Sequence, residues 1–379
     1  MQNFITKVCS TVLLLALAPA VFAQTTKSTT TTVKTTTKTK DNSFFFKSDL
    51  PLDDKNNMQD GKIRYPIRYS APAAIQVDNS WDVDVSAGYT YWYAGQDAMD
   101  IAFVAPSEVD QSAGFVARQS FGYKSGFKVG LGFDTKCDDW TIDADYTWYK
   151  YHKSDSFIGD RVEFTLSDWF SSDYAADTVD DTNDVVSSDW QLKMNMLDLT
   201  TGRPFYEGKR VVISPAAGLR VLWLHQNMAI SGTGGALDYN YAGESRSWAV
   251  GPKGCVNTSW MLPGGFRVEG TVGSSVLYTR YTTLNATTSS LDGAGIIQST
   301  STATKLGAVR PTMDAGLGLG FGSYAFKNKY FFDVSARYDF MQFWSQNVLR
   351  NFASQLAGSN NEVGNLYIHG LTLNLRCDF

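Results

Sequence analysis

Charged residues recur on alternate positions through much of the chain after Trp81, and the positions between them are aromatic or aliphatic. The basic members are Lys124, Lys128, Lys193, Arg220, Lys253, Arg267, Arg310, Arg337 and Arg376. The acidic members are Asp82, Asp84, Asp134, Asp143, Asp145, Glu269, Asp314, Asp333, Asp339 and Asp378. Such a set suits two kinds of chemistry. Around a wet lumen, charges of both signs filter ions and small polar solutes; in a narrow lumen they pair and close it. Acid–base catalysis needs a histidine or carboxylate held beside a matched partner, and the chain has only 3 His. His152, His225 and His369 fall on the apolar parity or just beyond it, and Asp143 and Asp145 have no histidine of their own parity nearby. The chain therefore reads as a non-enzyme. No CxxC or histidine cluster points to a metal, and no cofactor is implied.

Alternation of period two requires strands with one apolar and one polar face. Candidate strands run over 81–93, 121–133, 140–148, 190–199, 211–223, 248–260, 266–278, 309–321, 330–340 and 367–379. Most are longer than the five or six residues usual in soluble sheets and match the roughly 9–11 tilted residues that cross a bilayer. The connections 134–139, 200–210, 261–265 and 322–329 are short, whereas 151–189 and 282–304 are long and polar. Short turns alternating with long loops mark an up-and-down membrane barrel. Aromatic pairs at strand ends, such as Trp248 with Trp260 and Phe266 with Tyr278, bracket an apolar band. The expected fold is all-β: a transmembrane, antiparallel, up-and-down β-barrel of about ten strands over 81–379. A further hairpin in 101–115 or 161–170 would raise the count to twelve or more.

Before the barrel, residues 1–23 read as a secretory signal: Lys7, an apolar run over 8–17, and Val21-Phe22-Ala23 as cleavage site. Residues 24–40 form a Thr/Lys tract too polar to fold, expected as a disordered periplasmic arm. Residues 41–80 are a linker or a plug. The exported chain is expected in the outer membrane of a Gram-negative type envelope. A net charge of −5 excludes a polybasic nucleic-acid binder.

If the apolar parity faces lipid, the other lines a pore. The lining set is then Lys124, Lys128, Asp143, Asp145, Lys193, Arg220, Lys253, Arg267, Glu269, Arg310, Asp314, Asp333, Arg337 and Asp339. Only Asp198 and Arg280 fall on the lipid side, at strand ends. The turn at 134–139 would set Lys128 about opposite Asp145 as a cross-strand pair. Glycines at 122, 126, 130, 132, 316, 318 and 320 share the inward parity. Their missing side chains either leave room for a channel or let large neighbours pack across the lumen. The function expected is passive diffusion of small hydrophilic solutes or ions through a charge-lined lumen. The alternative is a structural or adhesive surface barrel whose external loops bind host or neighbouring cells.

The blocks DWQLKMNMLDLTTGRPF, SPAAGLRVLWLHQ, GPKGCVNTSW, RPTMDAGLGLGF and the closing LTLNLRCDF resemble those of the major outer membrane proteins of Legionella and chlamydia-like bacteria. The resemblance runs from about Trp81 to Phe379. It implies an abundant porin or adhesin-like surface protein with no catalytic residues. Chlamydial envelopes are cross-linked through cysteine, so it also implies Cys137 and Cys377 as candidates for a disulfide to another envelope protein or to a second copy. Cys255, mid-strand on the inward parity, leaves the mature thiol count odd. The terminal leucines and Phe379 resemble the signal by which the barrel-assembly machinery takes up its clients. Outer-membrane lipid is the remaining expected partner.

Overall fold

The computed structural model describes residues 58–59, 62–63, 77, 82–105, 115–135, 140–159, 161–163, 169, 184–207, 210–234, 237–292, 295–326, 328–356 and 364–379. The signal, the Thr/Lys tract and Cys137 lie outside them. The chain divides into two units, Met1–Tyr65 and Pro66–Phe379. In the first, Met58–Gln59 pairs with Lys62–Ile63 as a short antiparallel hairpin.

The second unit is a closed barrel of ten antiparallel strands. They are β1 (Val83–Gln96), β2 (Gly122–Asp134), β3 (Thr141–Gly159), β4 (Asp184–Gly202), β5 (Val211–Gly234), β6 (Leu237–Met261), β7 (Phe266–Asp292), β8 (Leu306–Ala325), β9 (Tyr330–Phe343) and β10 (Leu366–Asp378). Each pairs with its sequence neighbours, and β10 pairs with β1 from Leu366↔Gln96 to Asp378↔Asp84. Phe379 extends this seam, donating its N–H to the Val83 carbonyl at 3.0 Å. Closure pairs the first and last wall strands, so neither is left as a free edge. Among the described residues no helix is long and apolar enough to cross a membrane.

The residues that could have held further barrel strands do something else. Asp100–Ala105 pairs with Phe115–Arg118 and with Arg161–Glu163 in a separate three-stranded sheet, so the barrel does not reach twelve. The expected loop between 223 and 248 is also absent: β5 and β6 stay paired from Val211↔Trp260 to Gly234↔Leu237. The strands β5, β6 and β7 have 24, 25 and 27 residues. At about 3.3 Å per residue and a tilt near 40° they rise about 60–70 Å, against an apolar band about 25 Å tall. The barrel wall thus continues far beyond the membrane.

That extra height explains the one strand whose faces were misassigned. In the lower part of β4, Leu199 points outward and Asp198 is buried inside; in the upper part, Trp190, Leu192, Met194 and Met196 are buried inside. Lys193 is exposed on the outer parity, opposite Lys150 and His225. Lys193 is therefore not a lining residue and Asp198 is one. The physical reason is a change of solvent along a single strand. Within lipid the outer face must be apolar; above it the outer face meets water and the inner face becomes the dry one. Period-two alternation survives, but its polarity reverses at Met196/Leu197.

Above the membrane the interior is a hydrophobic core. Trp92, Tyr149, Trp190, Met194, Leu222, Tyr241, Tyr281 and Ile368 from the wall pack with Met99, Ile101, Ala102, Ala117 and Trp169 from the connections. The α-helix α1 (Val348–Leu356), between β9 and β10, adds Val348, Leu349 and Ala353. Asn347 starts the helix: its Oδ1 accepts the Arg350 N–H at 3.1 Å, and its Nδ2 donates to the Asp97 carbonyl at 2.8 Å. Trp169 donates to the Asp100 carbonyl at 2.6 Å and stands edge-on to Tyr241, while Arg350 lies over the Trp169 ring.

Gly370 has φ +153°, and a Cβ there would be driven onto the Tyr91 carbonyl oxygen and the Trp92 backbone. Gly370→Ala is expected to destabilise the barrel by about 1–3 kcal/mol, read as a lower urea midpoint for loss of the fast-migrating unheated form on a gel.

Candidate functional site: an ion-paired belt inside the barrel

Inward-facing positions over the membrane-spanning height carry the charges, and neighbouring strands bring them into clusters. The most buried centre is Arg220 on β5, 1 % exposed. Its Nε and Nη2 donate to Asp198 on β4 at 2.7 and 2.9 Å, and its Nη1 donates to Asp314 on β8 at 2.8 Å. Lys253 on β6 donates to Asp198 at 2.8 Å and lies 3.9 Å from Asp314. Because β5 and β8 are not neighbours in the wall, the Arg220–Asp314 bond crosses the lumen.

A second cluster centres on Asp339 of β9. It accepts from Lys128 at 3.1 Å, from Arg337 at 2.6 Å and from Thr372 at 2.6 Å. Trp92 donates its indole N–H to the same threonine at 3.1 Å, and the Lys128 ammonium lies 4.8 Å above the Trp92 ring. A third joins Arg267 to Glu269 and to Asp333. At the seam, Arg376 bridges Asp378 at 2.6 Å and Asp84 at 3.2 Å.

The expected Lys128–Asp145 pair does not form. The register sets Lys128 against Thr147 and Asp145 against Gly130, and Lys128 reaches Asp339 instead. Asp145 stands on the inner face opposite Asp198 and is exposed to the lumen. Asp143 accepts from Thr141 at 3.3 Å. Lys124 shares the inner parity opposite Trp92, and Arg310 lies opposite Leu277, where the interior turns apolar.

The inward glycines make room for these side chains. A Cβ at Gly316 would meet the Asp339 carboxylate and the Arg337 stem, at Gly320 the Glu269 carboxylate and Arg267, and at Gly273 the Asp314 carboxylate. Charged side chains therefore lie across a glycine wall, which is the packing reading of those glycines rather than the open-channel one. Sequence reasoning missed Asp198, Thr372 and Thr312, whose hydroxyl accepts from Arg220 Nη1 at 3.3 Å, as members of the belt. The signal for Asp198 was present in Leu197 and Leu199 on either side of it, which alternate in phase with the lipid-facing positions of β5.

The histidines lie on the outer face. His369 shares a hydrogen bond with Tyr338 at 2.6 Å among Tyr93, Tyr123 and Tyr367, and His225 reaches Glu244 at 3.1 Å. His152 meets Asp189 at 2.5 Å; Ser154 donates to that same carboxylate oxygen and not to the imidazole, so His152 is not placed as a base for that hydroxyl. Cys255 and Cys377 are free thiols. Among the described residues no group of His, Cys, Asp and Glu could hold a metal ion.

Among solved structures, the outer membrane protease OmpT from Escherichia coli is 12% identical, with 79% of this chain and 98% of that chain covered and a TM-score of 0.38. A major outer membrane protein from Thermus thermophilus is 10% identical, with 78% of this chain and 99% of that chain covered and a TM-score of 0.25. No curated protein matches. The family model of the Legionella pneumophila major outer membrane protein precursor matches residues 73–379. With a closed ten-stranded barrel over the same residues, the chain belongs to this outer membrane protein family.

Proposed function

We propose that the chain is a gated porin that passes small ions and hydrophilic solutes, and that it is not an enzyme. The observation that carries this reading is the division of the interior. The membrane-spanning height is lined by polar and charged side chains, although burying that many charges in a purely structural barrel costs desolvation that apolar packing would avoid. The dry closure sits above it and is built in part from loop-borne pieces, α1, Met99 and Trp169, that are not wall. Paired charges of both signs give a narrow path weak selectivity.

Planar-bilayer recording of the purified full chain tests this. Lys128→Ala and Arg337→Ala should each move the reversal potential in a salt gradient toward cation preference, because each leaves Asp339 with one cation fewer. An unchanged reversal potential in both would show that the belt is not the filter. A second reading, a surface barrel that attaches to cells, is favoured by the height of β5–β7 above the membrane. Shortening the β5–β6 hairpin above Met228 and Gly243 should then abolish attachment and leave conductance intact.

A further inference from the structure

Four register positions side by side on the outer wall carry basic side chains: Lys150 on β3, Lys193 on β4, His225 on β5 and Arg246 on β6. One step below them, on the same face, stand Trp148, Asn195, Trp223 and Trp248, the upper edge of the lipid-facing band. Glu244 neutralises part of the row, accepting from Arg246 at 2.6 Å and lying 3.1 Å from His225. Lys150 and Lys193 differ. They are directly opposite each other, both are exposed, and neither makes an ion pair or side-chain hydrogen bond with any of the described residues. Asp189, the other carboxylate above them, is taken by His152, Ser154 and Gln191. Like charges directly opposite in a sheet repel, and among the described residues no carboxylate relieves the repulsion.

Height supplies the missing partner. Tryptophans on a membrane protein sit at the level of the head groups, so two free ammonium groups just above a tryptophan shelf meet the phosphates of the outer leaflet. We propose that Lys150 and Lys193 together clamp a phosphate of an outer-leaflet lipid, with the Trp148–Trp223 shelf against its apolar part.

Purified full-length protein in bilayer discs containing phosphorylated outer-leaflet glycolipid, read by native mass spectrometry after detergent exchange, tests the clamp. Wild type should retain the lipid; K150A/K193A should retain it about 30-fold less tightly; K150R/K193R should retain it. Wild type should also discriminate against the same glycolipid with its phosphates removed, a comparison that needs no variant. Fast migration of the unheated samples confirms folded barrels. Equal retention by the alanine variant, loss in the arginine variant, equal retention of dephosphorylated lipid, or displacement of the lipid by inorganic phosphate would each overturn the assignment.

Discussion

Arg220→Ala is expected to destabilise the barrel by about 3–5 kcal/mol. The side chain is fully enclosed and holds Asp198 and Asp314 together across the lumen. Truncation leaves two inward carboxylates beside a single ammonium, Lys253, which reaches only Asp198 within hydrogen-bond distance. Breaking a buried pair on one side costs more than the pair ever contributed, because the surviving charge stays in a poorly solvated place. Lys253→Ala removes one bond from Asp198, leaves its two bonds from Arg220, and is expected to cost about 1–3 kcal/mol. Urea titration read by gel migration of unheated samples ranks the two. Equal midpoints for Arg220→Ala and wild type would mean that water fills the cluster and replaces the guanidinium.

Leu349→Asp is expected to open the extracellular end. Leu349 is 2 % exposed in the core formed by α1 and the upper wall. An ionised carboxylate there is without a partner, and a penalty of about 3 kcal/mol on the closed arrangement shifts a closed–open equilibrium by about 100-fold. The ten strands do not depend on α1 for their hydrogen bonds, so the variant should still migrate as a folded barrel. Single-channel recording should then show long open events where wild type shows rare ones. A folded Leu349→Asp barrel with the same current record as wild type would sink the gate, and silence in both would sink the porin reading with it.

The fold was legible in the sequence wherever a strand meets lipid. Val309, Leu317, Leu319 and Phe321 alternate with small or polar residues, and each stands exposed on the outer wall of β8. The seam follows from the same reading, since an up-and-down barrel over 81–379 closes only if its last strand meets its first, and the closing leucines and Phe379 lie on the strand that pairs with β1. What alternation cannot reveal is which face is which, and β4 crosses the water boundary midway. Trp190, Leu192, Met194 and Met196 look like a lipid face and are a core face, which put Lys193 on the wrong side and hid Asp198. Cross-lumen partners were illegible for another reason. Lys128 chooses Asp339, 211 positions away, over nearby Asp145, and that choice depends on the diameter and stagger of the closed barrel rather than on any hairpin. The helix α1 was legible in principle, since Val348, Leu349, Phe352, Ala353 and Leu356 fall at helical spacing; it is only nine residues long and lies in a connection between strands of period two, where no helix was sought.

The reversal of faces at Met196/Leu197 also sets how deep the barrel rides. Sliding it inward by one residue pair, about 5 Å along the membrane normal, would drag Lys150 and Lys193 into hydrocarbon. Sliding it outward by as much would lift Trp223 and Leu197 toward water. Both displacements are opposed by the same few strands, so the protein carries its own waterline, and the level of that reversal along the strands, more than any loop, decides how much of the tall wall stands clear of the cell.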